Sequence, residues 1–207
     1  LKKNNIYIIA EVGTNHNGFL KNALKYIDNL SSIGVDAVKF QIADFNEVYS
    51  EKLFAPNYQK KLTKKINYEK VVKRRLLTYR EHLQLYERCK TKKVDYICSA
   101  FDLKSLKFLT KNMNPKYYKI PSSEIFSVDL LQYLSRKKKK IILSTGMSSI
   151  EDISAALKVL NKNFKKKITL LHCVSDYPVN IKNINMNFMP QLYSNFKCDY
   201  GYSDHSN

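Results

Sequence analysis

The sequence predicts an α/β fold: a (β/α)8 TIM barrel, incomplete in this chain, with about seven of its strands present. Three observations predict it. Apolar, β-branched runs of four to eight residues alternate with helix-period stretches from end to end. Several runs are almost continuously apolar, as parallel strands covered by helices are. Polar residues also gather at the C-terminal end of every strand, where an open sheet would confine them to one switch point and a barrel draws on nearly all its strands.

Taken in order, the strands are predicted over residues 6–13, 37–41, 96–101, 117–121, 141–146, 168–174 and 200–204. The first helix places Leu20, Ala23, Leu24, Ile27 and Leu30 on one face, and Gly34 supplies its stop. Thr78 with Glu81, and Ser148 with Glu151, read as capping boxes, and Asp102 and Ser127 as further N-caps. The long connection between Ala43 and Leu76 reads as a partly helical surface excursion over the barrel mouth. A closed barrel needs another helix, strand and helix after Asn207, so the chain is expected to be a fragment.

Composition narrows the function classes. The 207 residues are 44% hydrophobic, enough for a sizeable core, and no apolar run approaches the ~20 residues of a membrane span. No secretory signal opens the chain. Cys89, Cys98, Cys173 and Cys198 lack metal or disulfide spacing and read as reduced thiols, which points to the cytoplasm. The net charge of +18 invites a nucleic-acid reading. The lysine clusters, at Lys60-Lys61, Lys64-Lys65, Lys73-Arg74-Arg75, 137–140 and 165–167, come without an arginine-rich arm, an aromatic strand motif or finger spacing. They read as solvated helix faces, with neither nucleic acid nor membrane as partner.

The strand tips hold the candidate chemistry: Glu11, Asn15 and His16, Lys39 and Gln41, Ser99, Lys119, Ser122 and Glu124, Ser144, Ser175, and Ser203 with Asp204 and His205. Lys39 and Lys119 lie within apolar strands, where an uncompensated ammonium is costly. Each either pairs with Glu11 or Glu124 or, with the rim serines, holds an anion; the two lysines are then expected to converge in one cavity. Asp204-His205 is open to three roles: metal ligand, acid/base or packed pair. The glycine-bounded turn from Gly13 to Gly18 is a weak phosphate motif, with His16 a satisfied loop residue or a group approaching the same cavity as His205. His172 reads as a core histidine, and His82 has no evident role.

Six segments occur in order: IAEVGTNHNG at 9–18, DAVKFQ at 36–41, YKIPSSE at 118–124, ILSTGM at 142–147, LHCVSDYP at 171–178 and GYSDHS at 201–206. Together the chain resembles the sialic acid (N-acetylneuraminate) synthase family over residues 6–207. The resemblance implies a metal-dependent transferase of sialic acid biosynthesis. It condenses phosphoenolpyruvate with N-acetylmannosamine or a related bacterial 2-acetamido aldose to a nonulosonic acid, with release of phosphate. Lys39, Ser99, Lys119, Ser122, Ser144, Ser175 and Ser203 match phosphoenolpyruvate positions. Gln41, Glu124 and Tyr177 match the sugar side, Glu11 the glutamate near the reacting carbons, and His205 a catalytic position as one of two histidines that hold Mn2+ or Mg2+. Departures are Cys98-Ser99-Ala100-Phe101 where the family more often has Ser-Thr-Pro-Phe, Ser123 for a frequent glycine, and Ser175 where some members have Asn.

The same resemblance makes residues 1–207 a partial synthase domain. The last strand, its metal histidine and an antifreeze-like C-terminal domain that completes a homodimer partner's site are absent. The fragment alone is expected to be inactive. The alternatives are a barrel aldolase with a Schiff-base lysine, for which Lys119 is the candidate, and a non-catalytic basic binding protein.

Overall fold

The computed structural model describes residues 6–49, 68–137, 139–160 and 168–206. The chain divides into two compact units, Leu1–Lys116 and Tyr117–Asn207. Lys60-Lys61, Lys64-Lys65, the cluster at 165–167 and the middle of the predicted surface excursion lie outside the described residues. Among the described residues no helix is long and apolar enough to cross a membrane.

In the first unit the strands are β1 (Ile9–Gly13), β2 (Ala37–Ile42) and β3 (Asp95–Ala100), parallel and in sequence order. The helices are α1 (Leu20–Ser32), α2 (Phe45–Val48), α3 (Tyr68–Arg75), α4 (Tyr79–Lys92) and α5 (Leu103–Asn112). α1 buries Ala23 and Ile27 of its predicted face, and Gly34, at φ +86°, turns the chain out of the helix. The Thr78–Glu81 capping box is present, and α4 turns His82, Leu85 and Cys89 inward. β2 and β3 supply the core residues Val38, Phe40 and Ile97, each fully buried.

The second unit holds β4 (Tyr117–Ile120), β5 (Lys140–Ser144), β6 (Ile168–His172) and β7 (Asp199–Tyr202), again parallel and in sequence order. Its helices are α6 (Val128–Lys137), α7 (Ile150–Val159) and α8 (Phe188–Phe196). Leu130, Leu131 and Leu134 of α6 and Ile153 of α7 pack into the core with Ile141, Leu143 and Leu170. The second capping box is Ser149 with Asp152, one residue past the predicted Ser148 and Glu151. Ser148 is taken up by the turn before it: its amide donates to Thr145 and its hydroxyl to the Gly146 carbonyl, next to Met147 at φ +57°. Ser127 precedes α6, and its carbonyl accepts from Leu131. All four cysteines are free and buried, as expected.

Candidate active site

In the first unit, register does the assembling. Glu11 on β1 lies opposite Lys39 on β2, and Gln41 two residues on lies opposite Ser99 on β3. Because side chains alternate across a strand, Lys39 and Gln41 share a face. The Lys39 ammonium pairs with Glu11 Oε2 and also reaches Ser99 Oγ at a long 3.5 Å. The Lys39 side chain is 15% exposed and that of Glu11 44%, so the pair stands at the edge of solvent and adds little stability by itself. The ion pair weighed against anion binding for Lys39 is therefore formed. Its half-wet carboxylate leaves the ammonium able to exchange partners. Gly13, at φ +55°, lets the backbone close on this cluster: a Cβ there would stand 2.9 Å from Glu11 Oε1 and 3.4 Å from Gln41 Nε2.

In the second unit Lys119 is 5% exposed. Its ammonium donates to the Ile120 carbonyl at 2.8 Å and to Ser144 Oγ at 2.7 Å. Two residues past Ser144, Gly146 brings further hydroxyls in. A Cβ on Gly146 would lie 2.4 Å from Ser175 Oγ and 3.3 Å from Ser122 Oγ, so the missing side chain is what lets those serines approach. Glu124, in the one-turn 3-10 helix Ser122–Glu124, accepts from the Ser127 hydroxyl. The cluster thus presents one cation and three hydroxyls, a donor set suited to an anion.

Past β7, the Ser203 amide donates to the His172 carbonyl, and Ser203 Oγ lies 3.4 Å from His205 Nε2. His205 Nδ1 is 2.9 Å from the Val174 carbonyl. A carbonyl can only accept, so Nδ1 carries a proton, and in the neutral ring Nε2 then keeps the lone pair. The ring packs at a tilt against half-exposed Tyr177, with centroids 4.4 Å apart. That tautomer suits a metal ligand held by a backbone carbonyl behind it. Among the described residues no group of three or more His, Cys, Asp or Glu could hold a metal. His172 is the core histidine expected, bonded to the Ile184 carbonyl at 2.6 Å and packed against Phe188 and Tyr202.

Two further histidines are buried. His16 takes the first of its two readings, a satisfied loop residue: it is 1% exposed, its Nδ1 accepts from the Gly18 amide at 3.0 Å, and its ring lies 6.3 Å from that of Phe40. His82, which had no evident role, is fully buried with Nδ1 2.8 Å from the Tyr96 hydroxyl, and burial pushes its pKa down to about 3. The signal for His82 was its helical spacing, since it precedes Leu85 and Cys89 by one and two turns on the buried face of α4.

A family model described as the NeuB family matches residues 26–207. The N,N'-diacetyllegionaminic acid synthase of Campylobacter jejuni is 39% identical over 202 residues, covering 96% of this chain and 60% of that protein. The enzyme of the same name from Legionella pneumophila is 32% identical over 205 residues, covering 97% and 57%. The crystal structure of N-acetylneuraminic acid (sialic acid) synthetase from Leptospira borgpetersenii superposes with a TM-score of 0.84 at 32% identity, covering 98% of this chain and 66% of that one. The chain therefore spans little more than half the length of these curated relatives, and its fold is the incomplete (β/α)8 barrel that the sequence predicts.

Proposed function

This chain belongs to the NeuB family, and from that premise we propose that residues 1–207 are the phosphoenolpyruvate-condensing part of a nonulosonic acid synthase. The observation that carries the reading is the Lys119 cluster. A nearly buried ammonium held by Ser144, with Ser122 and Ser175 admitted by Gly146, is what a ligand with a carboxylate and a phosphate requires. Lys39, Ser99 and Ser203 are assigned to the same ligand.

The second substrate is an N-acetylated aldose, assigned to Gln41, Glu124 and Tyr177. The names of the two legionaminic acid synthases favour a diacetamido sugar over N-acetylmannosamine. In the reaction the methylene carbon of phosphoenolpyruvate attacks the open-chain aldehyde. Water adds to the resulting cation, and phosphate leaves. Glu11 orients the incoming water or takes its proton, and Lys39 beside it holds the carboxylate in place. His205, its Nδ1 proton fixed on Val174, offers Nε2 to a divalent ion, Mn2+ or Mg2+. When bound, that ion supplies Lewis-acid polarisation of the aldehyde. The full-length protein is assigned as a homodimer acting in the cytoplasm.

The test is phosphate release by the full gene product from phosphoenolpyruvate and a panel of 2-acetamido and diacetamido aldoses, with and without added Mn2+. Release that needs both substrates and the ion supports the reading. Absence of release with every sugar, or a stable pyruvate adduct trapped by borohydride on Lys119, would replace it with the aldolase alternative.

A further inference from the structure

His205 is held from three sides by one short stretch of chain, from Val174 to Val179. Its Nδ1 donates to the Val174 carbonyl at 2.9 Å, its own carbonyl accepts from the Val179 amide at 3.0 Å, and the Tyr177 ring packs against it. Val179 is 4% exposed, so the far end of the stretch is anchored in the core. The imidazole is therefore fixed in place, and with it the direction of Nε2.

Ser203 Oγ faces that nitrogen at 3.4 Å. With the proton of the neutral ring on Nδ1, Nε2 offers only a lone pair, so the Ser203 hydroxyl is the donor. The Ser203 backbone is tied by its amide to the His172 carbonyl at 2.9 Å, but its hydroxyl turns about its own bonds. The Asp204 carboxylate between the two residues is turned to other donors, the Tyr202 hydroxyl at 3.1 Å and the Ser206 amide at 2.9 Å. The stretch that holds His205 also borders the Lys119 cluster. Ser175 follows Val174, and a Cβ on Gly146 would lie 2.4 Å from Ser175 Oγ and 3.3 Å from Ser122 Oγ. Each group at this junction takes one partner at a time. The Ser203 proton goes to Nε2 or to an anionic oxygen, and the Nε2 lone pair goes to that proton or to a cation.

We propose that the Ser203 hydroxyl couples the two ligands of this site: phosphoenolpyruvate draws it off His205 Nε2 and frees that nitrogen for the divalent ion. By reciprocity the ion frees the hydroxyl for phosphoenolpyruvate, so each raises the affinity for the other. This rests on the function proposed above.

Mn2+ binding to the full gene product, followed by electron paramagnetic resonance of the free ion with and without phosphoenolpyruvate, tests the exchange at a fixed pH above neutrality. Direct attraction between cation and anion would also make each favour the other, so the deciding comparison is Ser203→Ala without phosphoenolpyruvate. Deleting the hydroxyl removes the competitor for Nε2. The alanine variant should therefore bind Mn2+ about two- to fivefold tighter than wild type, the low end of what one hydrogen bond contributes, because this one is long. The gain in Mn2+ affinity brought by phosphoenolpyruvate should be smaller in that variant by the same factor. Ser203→Thr keeps the hydroxyl and should match wild type in both measurements. Nitrogen-15 NMR of the wild type should find the neutral His205 ring protonated on Nδ1. Unchanged or weaker Mn2+ binding by the alanine variant alone, an equal gain from phosphoenolpyruvate in both proteins, or a neutral ring protonated on Nε2 would each overturn the proposal and leave the synthase reading intact. A wild-type protein that binds neither Mn2+ nor phosphoenolpyruvate would instead remove the function on which the proposal rests.

Discussion

At Lys119 an ammonium with 5% exposure donates to the Ile120 carbonyl and to Ser144 Oγ, and its desolvation is the reason it can bind an anion strongly. Replacing it with methionine keeps the volume and removes the charge. Lys119→Met should raise the KM for phosphoenolpyruvate by about 30–150-fold, the equivalent of ~2–3 kcal/mol for a charge-assisted bond, and leave that of the aldose nearly unchanged. A raised aldose KM alone would make Lys119 a sugar contact. Gly146 tests the same cluster by bulk instead of charge. Its φ is not positive, so alanine meets no backbone strain, but its Cβ would fall 2.4 Å from Ser175 Oγ and 3.0 Å from Cys173 Sγ. Gly146→Ala should weaken phosphoenolpyruvate binding and cost about 1–3 kcal/mol of stability, the usual range for overpacking. Steady-state kinetics and urea unfolding of the same preparation measure both. A variant identical to wild type in both would remove Ser122 and Ser175 from the site.

Helix caps show how local signals and long-range ties diverge. Thr78 and Glu81 form a box that is exposed and closed on itself, with the Thr78 amide 2.7 Å from Glu81 Oε2. Asp102 accepts from the Ser105 amide at 2.6 Å, from Ser105 Oγ at 2.7 Å and from the Asp44 amide at 2.8 Å, and is buried. Thr78→Ala should cost ~1 kcal/mol, as N-caps do. Asp102→Ala should cost clearly more, because two further donors lose their acceptor and unmade buried bonds cost ~1–3 kcal/mol each. Urea unfolding midpoints at unchanged m-value decide between them, and equal losses would show that the Asp44 tie contributes nothing. The sequence shows Asp102 as an N-cap because that signal lies within four residues. It cannot show the Asp44 partner, 58 positions away. The same contrast runs through the fold and the site. Strand runs, the first helix face and the Thr78 box are periodic or local and were legible. The slip from Ser148 to Ser149 follows from the left-handed turn at Met147, and the burial of His16 and His82 follows from packing between elements, which no short window contains.

For the molecule as a whole, 36 basic residues against 18 acidic ones leave a net charge of +18 before any acid is added. Self-repulsion already opposes the folded state, so salt should raise the thermal midpoint at pH 7. The resolved shifts of the acidic residues and histidines that titrate below neutrality all act in one direction. Hydrogen bonds with Arg88 hold Asp28 below the ordinary carboxylate range, Lys104 does so for Asp44, and the Ser206 backbone does so for Asp204. Asp204 is open to solvent and Asp28 and Asp44 are partly so, and their part is small. Burial lowers His16 and carries His82 from 6.5 to about 3. A histidine that stays neutral when folded and takes a proton when unfolded costs nothing above pH 6.5. Below that the unfolded chain binds the extra proton, and stability falls by up to ~1.4 kcal/mol per pH unit per group until the folded pKa is passed. The carboxylates extend the loss below about pH 4 with the same sign. The thermal midpoint should therefore begin to fall between pH 6.5 and 4.5, ahead of the carboxylate range. The variant His82→Gln, less stable at pH 7 for its altered packing, should show a shallower decline over that interval. Parallel declines in the two proteins would place the acid sensitivity in surface repulsion alone and remove His82 from it.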